Sequence, residues 1–312
     1  MIYSAKIIKK PKKNDYKERK MITYFTDTDC DVTPEVAKKY GYKLISMPYS
    51  LDGANVLPYV DFDTFEDKKF YQRLRELKAN ELPTTSALSK QAYIDYFEPE
   101  FAAGNDICYI HFSAKMTATF GFMNMALEEL KQKYPERKFY EIDTKGITIP
   151  SYNIACEIGD MILAGNSVEE ILKWSETEVD KFATYFFAND LKFFRKSGRV
   201  GGFAAFFGGV IGIRPIIYMS AEGKMESVGK AIGKEKALDT LVGYVEELGD
   251  DIKNHRIVIG HCDCLADAER VVEKLEAKFG KLDNVEIHPV NPTAGSHCGP
   301  NSMGVCFHAK HR

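Results

Sequence analysis

Between residues 21 and 181, β-prone apolar runs alternate with segments of helical period, and this alternation limits the folds open to the chain more than any other feature. Residues 21–26 (Met-Ile-Thr-Tyr-Phe-Thr), 43–51, 106–112 and 138–143 read as strands. Residues 64–77 read as a helix, with apolar Phe65, Phe70, Leu74 and Leu77 and no interior Gly or Pro. Residues 91–101, 117–134 and 151–164 also read as helices, and Ser167-Val168-Glu169-Glu170 has the capping-box pattern of another that ends near Lys181. Strands joined through helices pair in parallel by right-handed crossovers, and such sheets bind ligands at their strand ends. After Phe182 the pattern changes. A short extended run (185–188), a hairpin turning at Glu222-Gly223-Lys224, helices over 235–248 and 265–279, and strands over 256–261, 285–290 and 303–307 describe an α+β unit. The expected division is a basic arm (1–20), an N-terminal α/β domain (21–182) and a C-terminal α+β domain (183–312).

The first twenty residues hold eight Lys or Arg against Asp15 and Glu18 and lack the apolar core of a signal peptide. They read as a disordered, solvated arm. Met21, where the folded pattern begins, could itself be the initiator. A net charge of −3 argues against general nucleic-acid binding. No run of about 18 apolar residues suggests a membrane span. Seven cysteines without an export signal point to a reducing, cytoplasmic setting with free thiols. His261-Cys262-Asp263-Cys264, with His297 and Cys298, lacks the Cys-x-x-Cys spacing of a zinc site, so no metal is expected.

The segment 291–301 (Asn-Pro-Thr-Ala-Gly-Ser-His-Cys-Gly-Pro-Asn) sets His297 in what reads as a stiff loop, with Gly295 and Gly299 allowing tight turns or close approach. Residues 21–34 read as strand, polar loop and helix, with Thr33 as N-cap and Pro34 at the first helical position. Thr85, Ser86, Ser113, Thr117, Arg199 and His297 can all donate hydrogen bonds, and few carboxylates accompany them. That set suits a bound carboxylate or phosphate. Ser113 and Thr117 fall at a strand end and a helix start, where backbone N–H groups favour an anion; Thr117 also reads as a plain N-cap. Residues 201–212 carry no polar side chain and five glycines. They read either as a closely packed core helix or as the lining of an apolar tunnel, bracketed by Arg199 and Arg214.

Five short motifs, in order, resemble the DegV family. They are residues 26–32 (Thr-Asp-Thr-Asp-Cys-Asp-Val) against T-D-S-x-C-D-L, Thr84-Thr85-Ser86 against a T-S-Q-P-S loop, Lys196-Ser197-Gly198-Arg199-Val200 against K-x-G-R-I, Ile213-Arg214-Pro215-Ile216 against I-K-P-I, and Gly295 to Pro300 against G-x-H-x-G-P. The likeness runs from about residue 21 to 307. It implies a DegV-like α/β fold, with an N-terminal parallel-sheet domain, a C-terminal α+β domain and one long-chain fatty acid between them. It further implies an acyl-presenting subunit of a bacterial fatty acid kinase in phospholipid metabolism, with ATP and Mg²⁺ on the partner kinase and no cofactor or catalytic centre in this chain. Nucleic acid is not implied as a partner, and membrane contact would be at most transient. By the same resemblance Thr85, Ser113 and His297 would bind the carboxylate beside Arg199. Ser86, Thr117 and Asp27 would be secondary polar groups, and Phe203, Phe206, Phe207, Val210 and Ile211 would line the acyl chain. The chain departs from the family at Ala114 and Ala118 (serine and glycine there), Ala87-Leu88, and Ile232, where an arginine is frequent. The alternative reading is a hydrolase or acyltransferase acting on a lipid-like substrate with Ser113 or Ser296 and His297, although no Gly-x-Ser-x-Gly elbow is present.

Overall fold

Why the chain turns where it does is plain from its first elements. β1 (Ile22–Asp27) is alternately apolar and ends at Asp27, whose Oδ1 accepts from the Cys30 N–H at 3.1 Å and closes a 3-10 turn, Thr28–Cys30. Thr33 then caps α1 (Pro34–Tyr40), accepting from Val36, and Gly41 at φ 75° ends it. The structure, a computed structural model, describes residues 21–201 and 212–312. The basic arm and the acyl wall assigned to Phe203, Phe206, Phe207, Val210 and Ile211 lie outside the described residues.

Residues 43–51 do not form one strand. β2 (Tyr42–Ile45) runs parallel to β1, whereas β3 (Tyr49–Leu51) pairs antiparallel with β4 (Ala54–Val56) and β5 (Thr84–Thr85) in a separate small sheet. Ser46-Met47-Pro48 breaks the run because its polar groups bond elsewhere. The Met47 N–H donates to Thr28 Oγ1 (2.9 Å), and Ser46 Oγ donates to the Pro58 carbonyl (2.6 Å). The chain continues through α2 (Asp67–Glu76), α3 (Lys90–Ala102), β6 (Asp106–His111), α4 (Thr119–Lys133), β7 (Phe139–Asp143), α5 (Ile149–Leu163) and α6 (Val168–Glu178). The first sheet is parallel throughout, in the order β2-β1-β6-β7. Crossovers leave β1 and β6 in opposite directions, so a crevice opens beyond the ends of these two strands, at Asp27 and His111.

The second sheet is mixed. It comprises β8 (Phe182–Phe187), β9 (Val200–Gly201), β10 (Ile213–Met219), β11 (Met225–Ile232), β12 (Ile257–His261), β13 (Val285–Pro289) and β14 (Met303–His308), in the order β13-β12-β14-β8-β10-β11-β9. α7 (Leu191–Ser197), α8 (Lys234–Leu248), α9 (Leu265–Phe279) and α10 (Pro292–Cys298) complete this half. The period of two along β8 divides its faces. Tyr185 and Phe187 pack with the α8 and α9 core, Tyr185 stacking on Tyr244 at 3.7 Å, while Thr184 and Phe186 turn toward the first half of the chain. The architecture is thus an N-terminal parallel α/β sheet and a C-terminal mixed sheet with helices. None of the helices among the described residues is long and apolar enough to cross a membrane.

The His297 segment is a helix rather than a loop. Asn291 caps α10, its side chain accepting from the Ala294 N–H at 2.9 Å; Pro292 opens the helix, and Gly299 at φ 70° closes it. Nor do its glycines admit a ligand. A Cβ on Gly295 would lie 2.5 Å from Tyr71 Oη, and one on Gly299 would run into the Phe193 ring. Tyr71 is fully buried and donates to the Val290 carbonyl at 2.8 Å, so the approach fixes α10 against α2. Gly299→Ala adds both a methyl group in the Phe193 ring and a left-handed backbone strain. Urea unfolding is expected to show a loss of roughly 2 to 4 kcal/mol, and an unchanged midpoint would contradict this packing.

Candidate functional site

The crevice beyond β1 and β6 deepens into a cavity of about 190 Å³ between the two sheets. Its wall is largely apolar, with Met47, Phe112, Met116, Phe186, Phe194 and Met219 from six different elements or turns. Thr85, Ser86, Thr117, Arg199 and His297 line the same wall. Thr85, Arg199 and His297, spread over more than two hundred residues of sequence, meet because β5 and α7 both pack on α10.

His297 lies in the last turn of α10, with Nε2 2.9 Å from Thr85 Oγ1. Burial and the adjacent Arg199 guanidinium push its pKa down to about 4, so the ring is neutral at ordinary pH. A neutral imidazole and a hydroxyl carry one polar hydrogen each, and the bond between them uses one, so with either tautomer the pair keeps one hydrogen for another partner. Arg199 lies just past Gly198, which takes φ 65° at the end of α7, and its guanidinium donates to the Ser197 carbonyl. The spare hydrogen and the guanidinium together make a donor-rich place suited to an oxyanion. Two outer depressions meet the cavity at this point. One is lined by Leu82, Pro83, Lys196 and Ser296, the other by Lys115, Lys224 and Glu226, and Arg199 belongs to both.

Ser113 stands apart from this cluster. It is fully buried, donates to the Gly223 carbonyl at 2.7 Å and accepts from the Lys115 N–H at 3.2 Å. Its hydroxyl ties the β10–β11 hairpin to the end of β6 and does not reach the cavity wall. Asp27 is likewise internal. It accepts from Tyr109 Oη at 2.9 Å and from the Phe112 N–H at 3.3 Å, and burial raises its pKa to about 6. Thr117 caps locally, accepting from the Thr119 N–H at 3.1 Å, while still facing the cavity. Arg214 is turned away, donating to Asn189 Oδ1 at 2.9 Å. Ser296 Oγ donates to the Pro292 carbonyl at 2.8 Å and does not touch His297. Reading the sequence overlooked Asp29, Thr184, Cys262, Thr293 and Ser302, all on the wall. Asp29 sits inside a recognised motif, but nothing in its spacing marks it as facing inward. Among the described residues no three His, Cys, Asp or Glu side chains gather as metal ligands.

Fold and cavity together describe a class of protein: an α/β protein of two main sheets and one small one, with a mainly apolar chamber that carries hydroxyl, imidazole and guanidinium groups on its wall. The match to known proteins narrows this further. Residues 21–310 match the family model described as "Uncharacterised protein, DegV family", and the chain belongs to the DegV family. A DegV domain-containing protein of Clostridium perfringens is 27% identical over 288 residues, covering 92% of this chain and 97% of that one. The solved structure of a fatty-acid-binding DegV family protein from Thermus thermophilus superposes with TM-score 0.81 at 21% identity, covering 93% of this chain and 99% of the other. That of a stearic acid-binding protein from Eubacterium ventriosum gives TM-score 0.78 at 21% identity, with coverage of 92% and 98%.

The depressed pKa of His297 has a stability consequence. Its folded-state value, about 4, lies below the ordinary 6.5, so the unfolded chain takes up the proton first. The contribution of His297 therefore falls as pH drops from about 6.5 toward 4. Asp27 and Asp31, raised to about 6 and about 7 by burial, act in the opposite sense. Comparison with His297→Gln isolates the imidazole. Between pH 6.5 and 4 the ligand-free parent is expected to lose more stability than the variant, by at most about 3 kcal/mol in urea titrations. Parallel curves would show that His297 is not held neutral by its surroundings.

Proposed function

We propose that this chain binds one long-chain fatty acid in the cavity between an N-terminal unit (21–182) and a C-terminal unit (183–312). The acyl carboxylate is held by Thr85, His297 and Arg199, with Ser86 and Thr117 beside them. The observation that carries this reading is the gathering of Thr85, His297 and Arg199 on the wall of a mainly apolar chamber. Burial of an acyl chain contributes about 0.8 kcal/mol per CH₂, so the tail supplies affinity and the donors set its direction. The fatty acids named for the solved Thermus thermophilus and Eubacterium ventriosum relatives support the same ligand class.

The chain itself performs no chemistry in this reading. It presents the carboxylate to a partner kinase, which brings ATP and Mg²⁺ and forms the acyl phosphate. One feature supports presentation: Thr85, His297 and Arg199 lie where the cavity shares its wall with an outer depression, which would leave the carboxylate oxygens open to a partner. The rival Ser/His hydrolase has less support. Ser113 and Ser296 are both bonded to backbone carbonyls, and a cation rather than a carboxylate stands beside His297. A triad base needs the reverse arrangement.

Native mass spectrometry of the purified protein, with lipid extraction, is expected to find one C16 to C18 fatty acid per chain. Delipidated protein should rebind stearate, and His297→Ala and Thr85→Ala should each weaken binding by about 10- to 100-fold, the loss of a charge-assisted hydrogen bond. Addition of a fatty acid kinase catalytic subunit with ATP and Mg²⁺ should yield acyl phosphate only when this chain is present. A protein that refuses stearate and oleate, or ester hydrolysis lost in Ser296→Ala, would overturn the reading.

A further inference from the structure

Most polar groups on the cavity wall away from the Thr85–His297 pair are spent on the protein itself. Thr293 Oγ1 donates to the Met47 carbonyl at 2.8 Å, and Ser302 Oγ donates to the Cys298 carbonyl at 2.8 Å. Asp29 is different. It lies in the 3-10 turn after β1 and lines the cavity, its residue is 6% exposed, and no hydrogen bond reaches its carboxyl: Oδ1 is shut in behind the wall without a partner, which leaves Oδ2 as the oxygen that can meet a ligand. A buried polar atom left unpaired destabilises the fold, and a carboxyl in an apolar chamber does so the more for being ionisable. Thr184, on β8, is the other lining residue among the described ones with a shut-in, unpaired oxygen, and that oxygen lies beside Cys306.

The backbone around Asp29 is over-determined. Its carbonyl accepts from the Thr148 N–H at 2.7 Å, and Thr148 holds the strained conformation φ 61°, ψ −126° as the chain enters α5. Two residues on, Asp31 Oδ1 accepts from both the N–H (2.9 Å) and the side-chain Nδ2 (2.7 Å) of Asn291, the cap of α10. Asp29 is therefore set near the N-terminal end of α10, and His297 lies in its last turn. Six residues separate that cap from His297, about 9 Å of helix axis at 1.5 Å per residue. Desolvation, then the neighbouring Asp27 and Asp31, holds the Asp29 carboxyl well above its ordinary pKa. Whenever it carries its proton, the carboxyl has one O–H to give and a carbonyl oxygen to receive.

We propose that Asp29 is a second polar subsite in the chamber, taking the oxygen of a hydroxylated or keto acyl chain several carbons from the carboxylate. This deepens the fatty-acid reading above and rests on it. A plain saturated tail would lie against Asp29 and leave it unpaired; a mid-chain hydroxyl can both accept from and donate to it. Preference among fatty acids is thus set by an oxygen in the tail as well as by the head.

The test is competitive binding of stearate, 2-hydroxystearate and 10-hydroxystearate to delipidated protein, by calorimetry. The parent is expected to bind 10-hydroxystearate about tenfold more tightly than stearate, one hydrogen bond's worth, with no such gain for 2-hydroxystearate. Asp29→Leu should invert the order, tightening stearate and weakening the 10-hydroxy acid. Asp29→Asn, which keeps a donor and an acceptor and is close in shape, should retain the parent's preference and guards against a folding defect in the leucine variant. Equal affinities in the parent would overturn this proposal alone, leaving Asp29 paired only with cavity water. Failure to bind any of the three acids would overturn the fatty-acid reading itself.

Discussion

The hydrogen bonds between Asp31 and Asn291 are the constraint on which the site depends. They join residues 260 positions apart, the turn after the first strand and the cap of the helix that carries His297. Asp31 is buried and takes the left-handed conformation at φ 53°, and burial raises its pKa to about 7. A carboxyl in such surroundings is tolerated only because two N–H groups converge on one of its oxygens. The geometry that results is larger than the contact. It sets α10 across the mouth of the β1–β6 crevice, so that the helix becomes a common wall for groups from both sheets. Tyr71, pressed against Gly295 and bonded to Val290, holds the same helix from the other side.

Once α10 is placed, the character of the chamber follows from how each polar group is paired. Ser113, Ser296, Thr293 and Ser302 have hydroxyls that donate to backbone carbonyls; those of Ser113 and Thr293 tie distant segments together, and those of Ser296 and Ser302 close on the carbonyl four residues back. Thr85 and His297 are bonded to each other instead, which leaves a hydrogen free for something else. In and around the chamber, structural hydroxyls thus stand apart from available ones, although the residue types are the same. Counting Ser and Thr near a cavity would have merged the two groups.

This difference also explains what the sequence could and could not reveal. The alternation that defines β1, β6, β7 and their helices was legible because hydrophobic period responds directly to burial, and α9 (Leu265–Phe279) coincides with the segment its period outlined. The membership of Thr85, Arg199 and His297 in one motif set came from resemblance. Residues 43–51 misled because both halves are β-prone, and the break at Ser46-Met47-Pro48 depends on partners at Thr28 and Pro58 that no local pattern announces. α10 was read as a loop because Gly and Pro lower helix propensity, yet Pro292 and Gly299 occupy its first turn and its cap, the places where those residues are favoured. α7 was not read at all; seven residues with two phenylalanines and three basic side chains carry little period. Asp29 was invisible as a wall residue, since its direction is fixed only when Thr148 and Asn291 are in place.

The pairing of Thr85 with His297 spans 212 positions, and this has a thermodynamic side. The two groups lie far apart in an unfolded chain, so a ligand held by both, as proposed above, has nothing to bind until the fold is assembled. Its free energy therefore adds to the folding equilibrium, by about 2.7 kcal/mol when free ligand stands at a hundred times its dissociation constant. Occupied and empty molecules should accordingly differ in how readily proteases and heat unfold them. The abundance of the protein in a cell would then track the supply of its ligand, with no regulator other than mass action.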